Sequence, residues 1–103
     1  MGEFSKRLGD CIRRTDMTTS DLARWFDRPR ATVNTWVNGR TPFGPAAKKA
    51  NQRLEMLELS IRTRPEYYPV PPEQNWTDRE RYVRGMYDDA KRHFGVSAMR
   101  AAG

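Results

Sequence analysis

An all-α fold is predicted for this chain by three observations. Apolar residues recur at helical spacing in five separate segments. Helix-opening signals stand at Thr18–Asp21, Pro29, Pro45 and Thr77–Glu80. Glycines stand where two of the patterns stop, at Gly39 and Gly95. The expected architecture is a helix-turn-helix bundle of about four helices, followed by a Pro-rich strap and a C-terminal amphipathic helix. The expected division is a first unit over 1–62, a linker over 63–76 and a helical arm over 77–103.

The first helix is predicted over 3–14, because Phe4, Leu8, Cys11 and Ile12 fall at i, i+4, i+7 and i+8 on one face. Cys11 is the only cysteine, which excludes a disulfide within the chain and reads as a small core or boundary residue. Thr15-Asp16-Met17 breaks the pattern. Thr18-Thr19-Ser20-Asp21 resembles a capping box with Asp in the place commonly taken by Glu or Gln, and it opens a second helix whose apolar face is Leu22, Ala23 and Phe26. Asp27-Arg28 forms the turn. Pro29 suits the first turn of a third helix over 29–38, since its missing N–H has no helical partner there. Val33, Trp36 and Val37 are that helix's apolar positions.

Pro45 opens a fourth helix over 45–62, with a stripe of Ala46, Ala47, Ala50, Leu54, Leu57 and Ile61. It is longer than a three-helix core needs, so its outer half is expected to pack on the C-terminal arm or on a partner chain. Pro65, Pro69, Pro71 and Pro72 prevent regular helix in the strap. Tyr67, Tyr68, Val70 and Trp76 are too apolar for a solvated tether, so the strap is expected to lie against helical surface. Thr77-Asp78-Arg79-Glu80 is a full capping box, predicted to open a last helix over 77–94. Its stripe of Tyr82, Val83, Met86, Tyr87, Ala90 and Phe94 reads as packing or dimer surface. Gly95 is expected to end it and Val96–Gly103 to be loosely held.

Charge is unevenly placed. Residues 1–64 hold 13 Lys/Arg and 7 Asp/Glu, a surplus of +6, whereas residues 65–103 hold 6 of each. A localised basic surplus is the footprint of a nucleic-acid surface, although a solvated basic face gives the same count.

The informative stretch is Thr18–Gly39. Leu22, Ala23, Phe26, Val33 and Trp36 are spaced to meet at the crossing of two short helices. A side chain larger than Ala23 would push the second helix out of register. Arg30, Ala31, Asn34, Thr35 and Asn38 then point outward on a polar face without an acidic residue. Those residue types suit base edges: Arg pairs with guanine, Asn with adenine, and the methyls of Ala and Thr meet the thymine methyl. Trp25, at the edge of the apolar face, is expected to pack against the first helix or a neighbour rather than against DNA.

On Leu22-Ala23, Phe26, Val33, Trp36 and Gly39 the chain resembles the helix-turn-helix of the phage repressor and Cro group, the xenobiotic-response-element type. The resemblance implies a lambda-repressor-like bundle whose third helix enters the major groove of double-stranded DNA, with two-fold dimers on paired half-sites. By position it places Pro29, Arg30, Ala31, Asn34, Thr35 and Asn38 at bases, and Thr18 and Thr19 at backbone phosphates. Arg40, just past the recognition helix, and Arg28, in the turn, are further phosphate candidates. The turn departs from the family pattern: Asp27, Arg28 and Pro29 stand where Gly, an apolar residue and Ser are usual. One long pattern also follows Gly39 where the family has two shorter helices.

A sequence-specific DNA-binding regulator of phage or bacterial type is the leading expectation. Small subunits of phage DNA-packaging terminases resemble the same plan, with a ring as the assembly. An adaptor that uses the helix-turn-helix for protein contact is the third reading. Nothing in the sequence supports an enzyme, a cofactor or a metal: one Cys and one His make no zinc constellation, and the glycines form no phosphate loop. Asp88-Asp89 reads as a solvated pair. No apolar run reaches the roughly 18 residues of a membrane span and the N-terminus has no secretory-type core, so a cytoplasmic location is expected.

Overall fold

The computed structural model describes residues 2–71 and the backbone of 76–102, with side chains described for 2–71 and 77–94. Among the described residues the fold is all-helical, with five α-helices, one short 3-10 turn and no strand.

Helix α1 spans Glu3–Thr15 and buries Phe4, Leu8 and Cys11, the stripe its spacing predicts. It stops because Asp16 turns left-handed, at φ 57°, a conformation Asp tolerates better than most residues. Helix α2 spans Thr19–Phe26. Thr18 is its N-cap and the capping box is complete: the Asp21 amide donates to Thr18 Oγ1 at 3.2 Å and the Thr18 amide to Asp21 Oδ2 at 2.9 Å. Asp is one methylene shorter than the usual Glu, yet here it still reaches.

Asp27 ends α2 in the left-handed region, at φ 54°, the role glycine plays in the resembled turn. Helix α3 spans Arg30–Val37. Pro29 is its N-cap rather than its first helical residue. Its ψ of 147° is extended, while its carbonyl accepts the first helical bond from Val33 at 3.1 Å. The predicted start is therefore one residue early. Gly39, at φ 113°, allows a Schellman turn in which the Gly39 amide bonds Trp36 O and the Arg40 amide bonds Thr35 O. Ser5 Oγ donates to the same Trp36 carbonyl at 2.7 Å, so α1 caps the end of α3.

Helix α4 spans Pro45–Thr63, and the 3-10 turn Pro65–Tyr67 follows. The strap lies on the helices, as its apolar content predicts. Val70 is buried and its amide donates to Thr15 O at 2.8 Å. Tyr68 and Ser60 hydroxyls share a 2.6 Å hydrogen bond, and Tyr82 donates to Tyr67 O. Residues 72–75 of the strap and the Trp76 side chain lie outside the described residues.

Helix α5 spans Trp76–Ala102 and corrects the sequence reading at both ends. Thr77 sits inside the helix, so it is not the N-cap, and Gly95 does not stop it. One Gly costs a helix only about 1 kcal/mol, too little to end a helix by itself. The side chains of 95–102, and Gly103 altogether, lie outside the described residues. The predicted apolar stripe holds: Val83, Met86 and Ala90 are buried, and Tyr82, Tyr87 and Phe94 pack beside them. They face α4 and α2 within the chain. One buried cluster therefore takes residues from all five helices, from Phe4 in α1 to Ala90 in α5. Asp89 is also corrected. It is buried, bonded to Arg64 Nε at 3.2 Å and near His93 at 3.4 Å, whereas Asp88 is exposed.

Candidate nucleic-acid interface

The position of α3 is set by three aromatic rings. Phe4 and Phe26 each meet Trp36 edge-on, at centroid distances of 5.5 Å, and meet each other at 6.2 Å. Rings at such offsets attract through their quadrupoles as well as through buried area. One ring comes from each of α1, α2 and α3, so the cluster fixes the crossing of the hairpin. Val33 is fully buried on the same side of α3, and Ala23 packs against the cluster, half-buried.

With Val33 and Trp36 inward, the remaining face of α3 looks out. Arg30, Ala31, Asn34, Thr35 and Asn38 are all exposed. They form two rows along the helix. Arg30, Asn34 and Asn38 fall at i, i+4 and i+8, and Ala31 and Thr35 fall at i and i+4 beside them. The two rows differ in chemistry. The Thr35 hydroxyl donates to Thr32 O at 2.6 Å, so its proton is committed within the helix. Thr35 then offers outward a methyl beside that of Ala31. Among the described residues, Arg30, Asn34 and Asn38 make no side-chain hydrogen bond or ion pair, and their donors remain free.

The helix α2 end of the site is equally open. Thr19, Arg30, Ala31 and Asn34 line one shallow groove, which joins the start of α2 to the outer face of α3. Thr18 is exposed; its oxygen accepts the capping bond while its own O–H remains available. Ser20, Ala23, Asp27, Arg28 and Arg30 line a second groove on the turn. Arg28 is half-buried there. Arg40 is exposed at the other end of α3, on a backbone fixed by the Schellman turn.

Three exposed residues just beyond α3 in the chain escape a reading confined to the helix-turn-helix. Phe43 is 83% exposed, the one large hydrophobic side chain so placed among the described residues. Lys48 and Lys49 are exposed on the first turns of α4. A signal for them exists in the sequence: between Asp27 and Glu55 there is no acidic residue, while Arg28, Arg30, Arg40, Lys48, Lys49 and Arg53 all fall inside. Arg53 is the exception in role. Its guanidinium donates to Trp25 O at 2.9 Å and lies over the Tyr87 ring, which makes it an internal strut.

Trp25 is fully buried. Its indole N–H donates to Arg53 O at 2.9 Å and its ring meets Tyr87 edge-on at 5.3 Å. It packs against α4 and α5. Elsewhere, Cys11 is enclosed by the α1–α4 contact, where burial pushes its thiol up to about 12. Arg7 and Glu58 pair across the same contact, with Arg7 Nε 3.0 Å from Glu58 Oε2, and that bond raises the guanidinium further above its ordinary value. Among the described residues no three potential metal ligands come together, and no helix is long and apolar enough to cross a membrane. No family model, no curated protein and no solved structure matches the chain.

Proposed function

We infer that the chain is a double-stranded DNA-binding protein that seats α3 in the major groove, and that it serves as a sequence-specific regulator of phage or bacterial type. The observation that carries this reading is the outward face of α3. An eight-residue helix is held by a triangle of rings on one side and presents free Arg and Asn side chains beside a row of methyls on the other. In the groove, Arg30 suits guanine O6/N7, Asn34 and Asn38 suit adenine N6/N7, and Ala31 and Thr35 suit the thymine methyl. Thr18, Thr19, Arg28 and Arg40 flank the helix where phosphates run, and position it without reading sequence.

A two-fold dimer on paired half-sites accompanies this reading through the family resemblance. The apolar face of α5 through Phe94 is occupied within the chain, which favours a regulator over a ring-forming packaging subunit. The experiment is a titration of duplex DNA at low and moderate salt, with the mass of the free protein measured alongside. A binder with several phosphate contacts loses orders of magnitude in affinity across that range. A dimer supports the regulator, a ring of eight or more supports packaging, and no affinity even at low salt leaves a protein-contact role.

A further inference from the structure

We propose that Phe43 is a sequence-independent DNA contact, pressing its ring on the sugar–phosphate wall of the groove that α3 enters. The inference rests on the DNA-binding reading and adds a residue of a different kind to it.

The loop that carries Phe43 is built to hold it out. Arg40 is fixed by its bond to Thr35 O, and its carbonyl lies 3.4 Å from Ser5 Oγ. Pro42 is buried. Gly44 turns at φ 67° and ψ −157°, a backbone conformation essentially confined to glycine. Pro45 then starts α4 with its φ already set. Between the buried Pro42 and the turned Gly44, the Phe43 side chain faces water. Leaving a phenyl ring in water forgoes the burial that helps hold a small domain together.

The surroundings identify the partner. Arg40, Lys48 and Lys49 flank the ring in the chain, all exposed and without a described partner, in the stretch that lacks any acidic residue. A protein surface seated on the ring would have to supply carboxylates to all three. Duplex DNA supplies a regular row of phosphates with apolar deoxyribose between them. Phe43 is five residues beyond Asn38, at most roughly 18 Å along the chain, and the major groove is about 12 Å wide. With α3 in the groove, that length of chain lets the ring reach the groove wall.

The test compares Phe43→Ala with wild type on one duplex carrying a selected site and one of unrelated sequence, over a range of salt. The expected result is a loss of about tenfold in affinity for both duplexes. The slope of log affinity against log salt is expected to stay unchanged, because an apolar contact releases no counterion. Unaltered affinity on both duplexes overturns the proposal while leaving the DNA-binding reading intact. A fall in the mass of the free protein on substitution also overturns it, because Phe43 then contacts a second copy. Wild-type protein that fails to bind either duplex at low salt removes both. Since the side chain is exposed, an unchanged melting temperature confirms that the variant is folded.

Discussion

Arg79 on α5 reaches Asp21 on α2 across 58 positions of chain, with its Nε 2.8 Å from Asp21 Oδ2. The same guanidinium donates to Asp16 O at 3.0 Å and to Pro71 O at 3.1 Å. Asp21 is fully buried and is already the inner half of the α2 capping box. A single carboxylate thus fixes the start of α2 and ties it to the last helix. Its other oxygen, Oδ1, has no hydrogen bond and meets Arg24 Nη1 only at 4.0 Å. Removing Arg79 leaves a buried carboxylate short of its main cation. Arg79→Ala is expected to cost about 2–4 kcal/mol in denaturant unfolding, a large share of a small domain's stability. The double variant Asp21→Ala/Arg79→Ala is expected to cost less than the two single losses added. Additive losses would mean that the two residues act separately.

The Schellman turn gives Arg40 a fixed backbone and an unengaged side chain at the end of α3. If it holds a phosphate, Arg40→Ala weakens binding to every sequence about equally and flattens the salt slope by about one unit. Fluorescence titrations at four or five salt concentrations measure this. An unchanged slope removes Arg40 from the phosphate contacts.

Asn34 lies at the middle of the polar row and shares its groove with Thr19. Asn34→Ala is expected to relax base preference at one position of the site, at a cost of about 1–3 kcal/mol for the preferred base. Competition among duplexes that differ at single positions reads the effect. Equal weakening on all of them contradicts the base-reading role.

Burial raises two acids in the core, the Cys11 thiol and the Tyr68 phenol, each to about 12 from ordinary values near 9 and 10. The folded state therefore holds both protonated where the unfolded chain ionises. Their stabilising contribution is fully present below about pH 9 and is lost as pH rises towards 12. Unfolding midpoints are expected to be flat with respect to these groups at neutral pH and to fall steadily above pH 9. In the same range the native thiol is expected to resist disulfide reagents until the chain unfolds. A thiol that reacts rapidly in the folded protein at pH 8 contradicts the burial.

What the sequence revealed, and what it hid, follows the range of the forces involved. The Thr18–Asp21 box, the Gly39 stop and the stripe of Phe4, Leu8 and Cys11 are local signals, and they stand where the spacing put them. The Arg79–Asp21 pair was not legible, because nothing near Arg79 marks a partner 58 residues back. Thr77 carries every mark of an N-cap, but it already lies inside the helix. Gly95 carries the mark of a stop, but the helix continues through it. Trp25 was expected to pack on the first helix or a neighbour, and the neighbours it meets are α4 and α5, because only tertiary packing decides which element meets a ring at a helix edge. At the candidate site, the outward face of α3 followed from the period of 3.6. Phe43 did not, since loop conformation decides its exposure.

The most direct measurement is selection of bound duplexes from a random pool by the wild-type chain at low salt, with sequencing of the enriched molecules. The account expects a short preferred site containing guanine, adenine and thymine, repeated at one-turn spacing if the protein is a dimer, and degraded at one position by Asn34→Ala. A retained pool no different in sequence from the starting mixture, or no retained DNA at all, would contradict it.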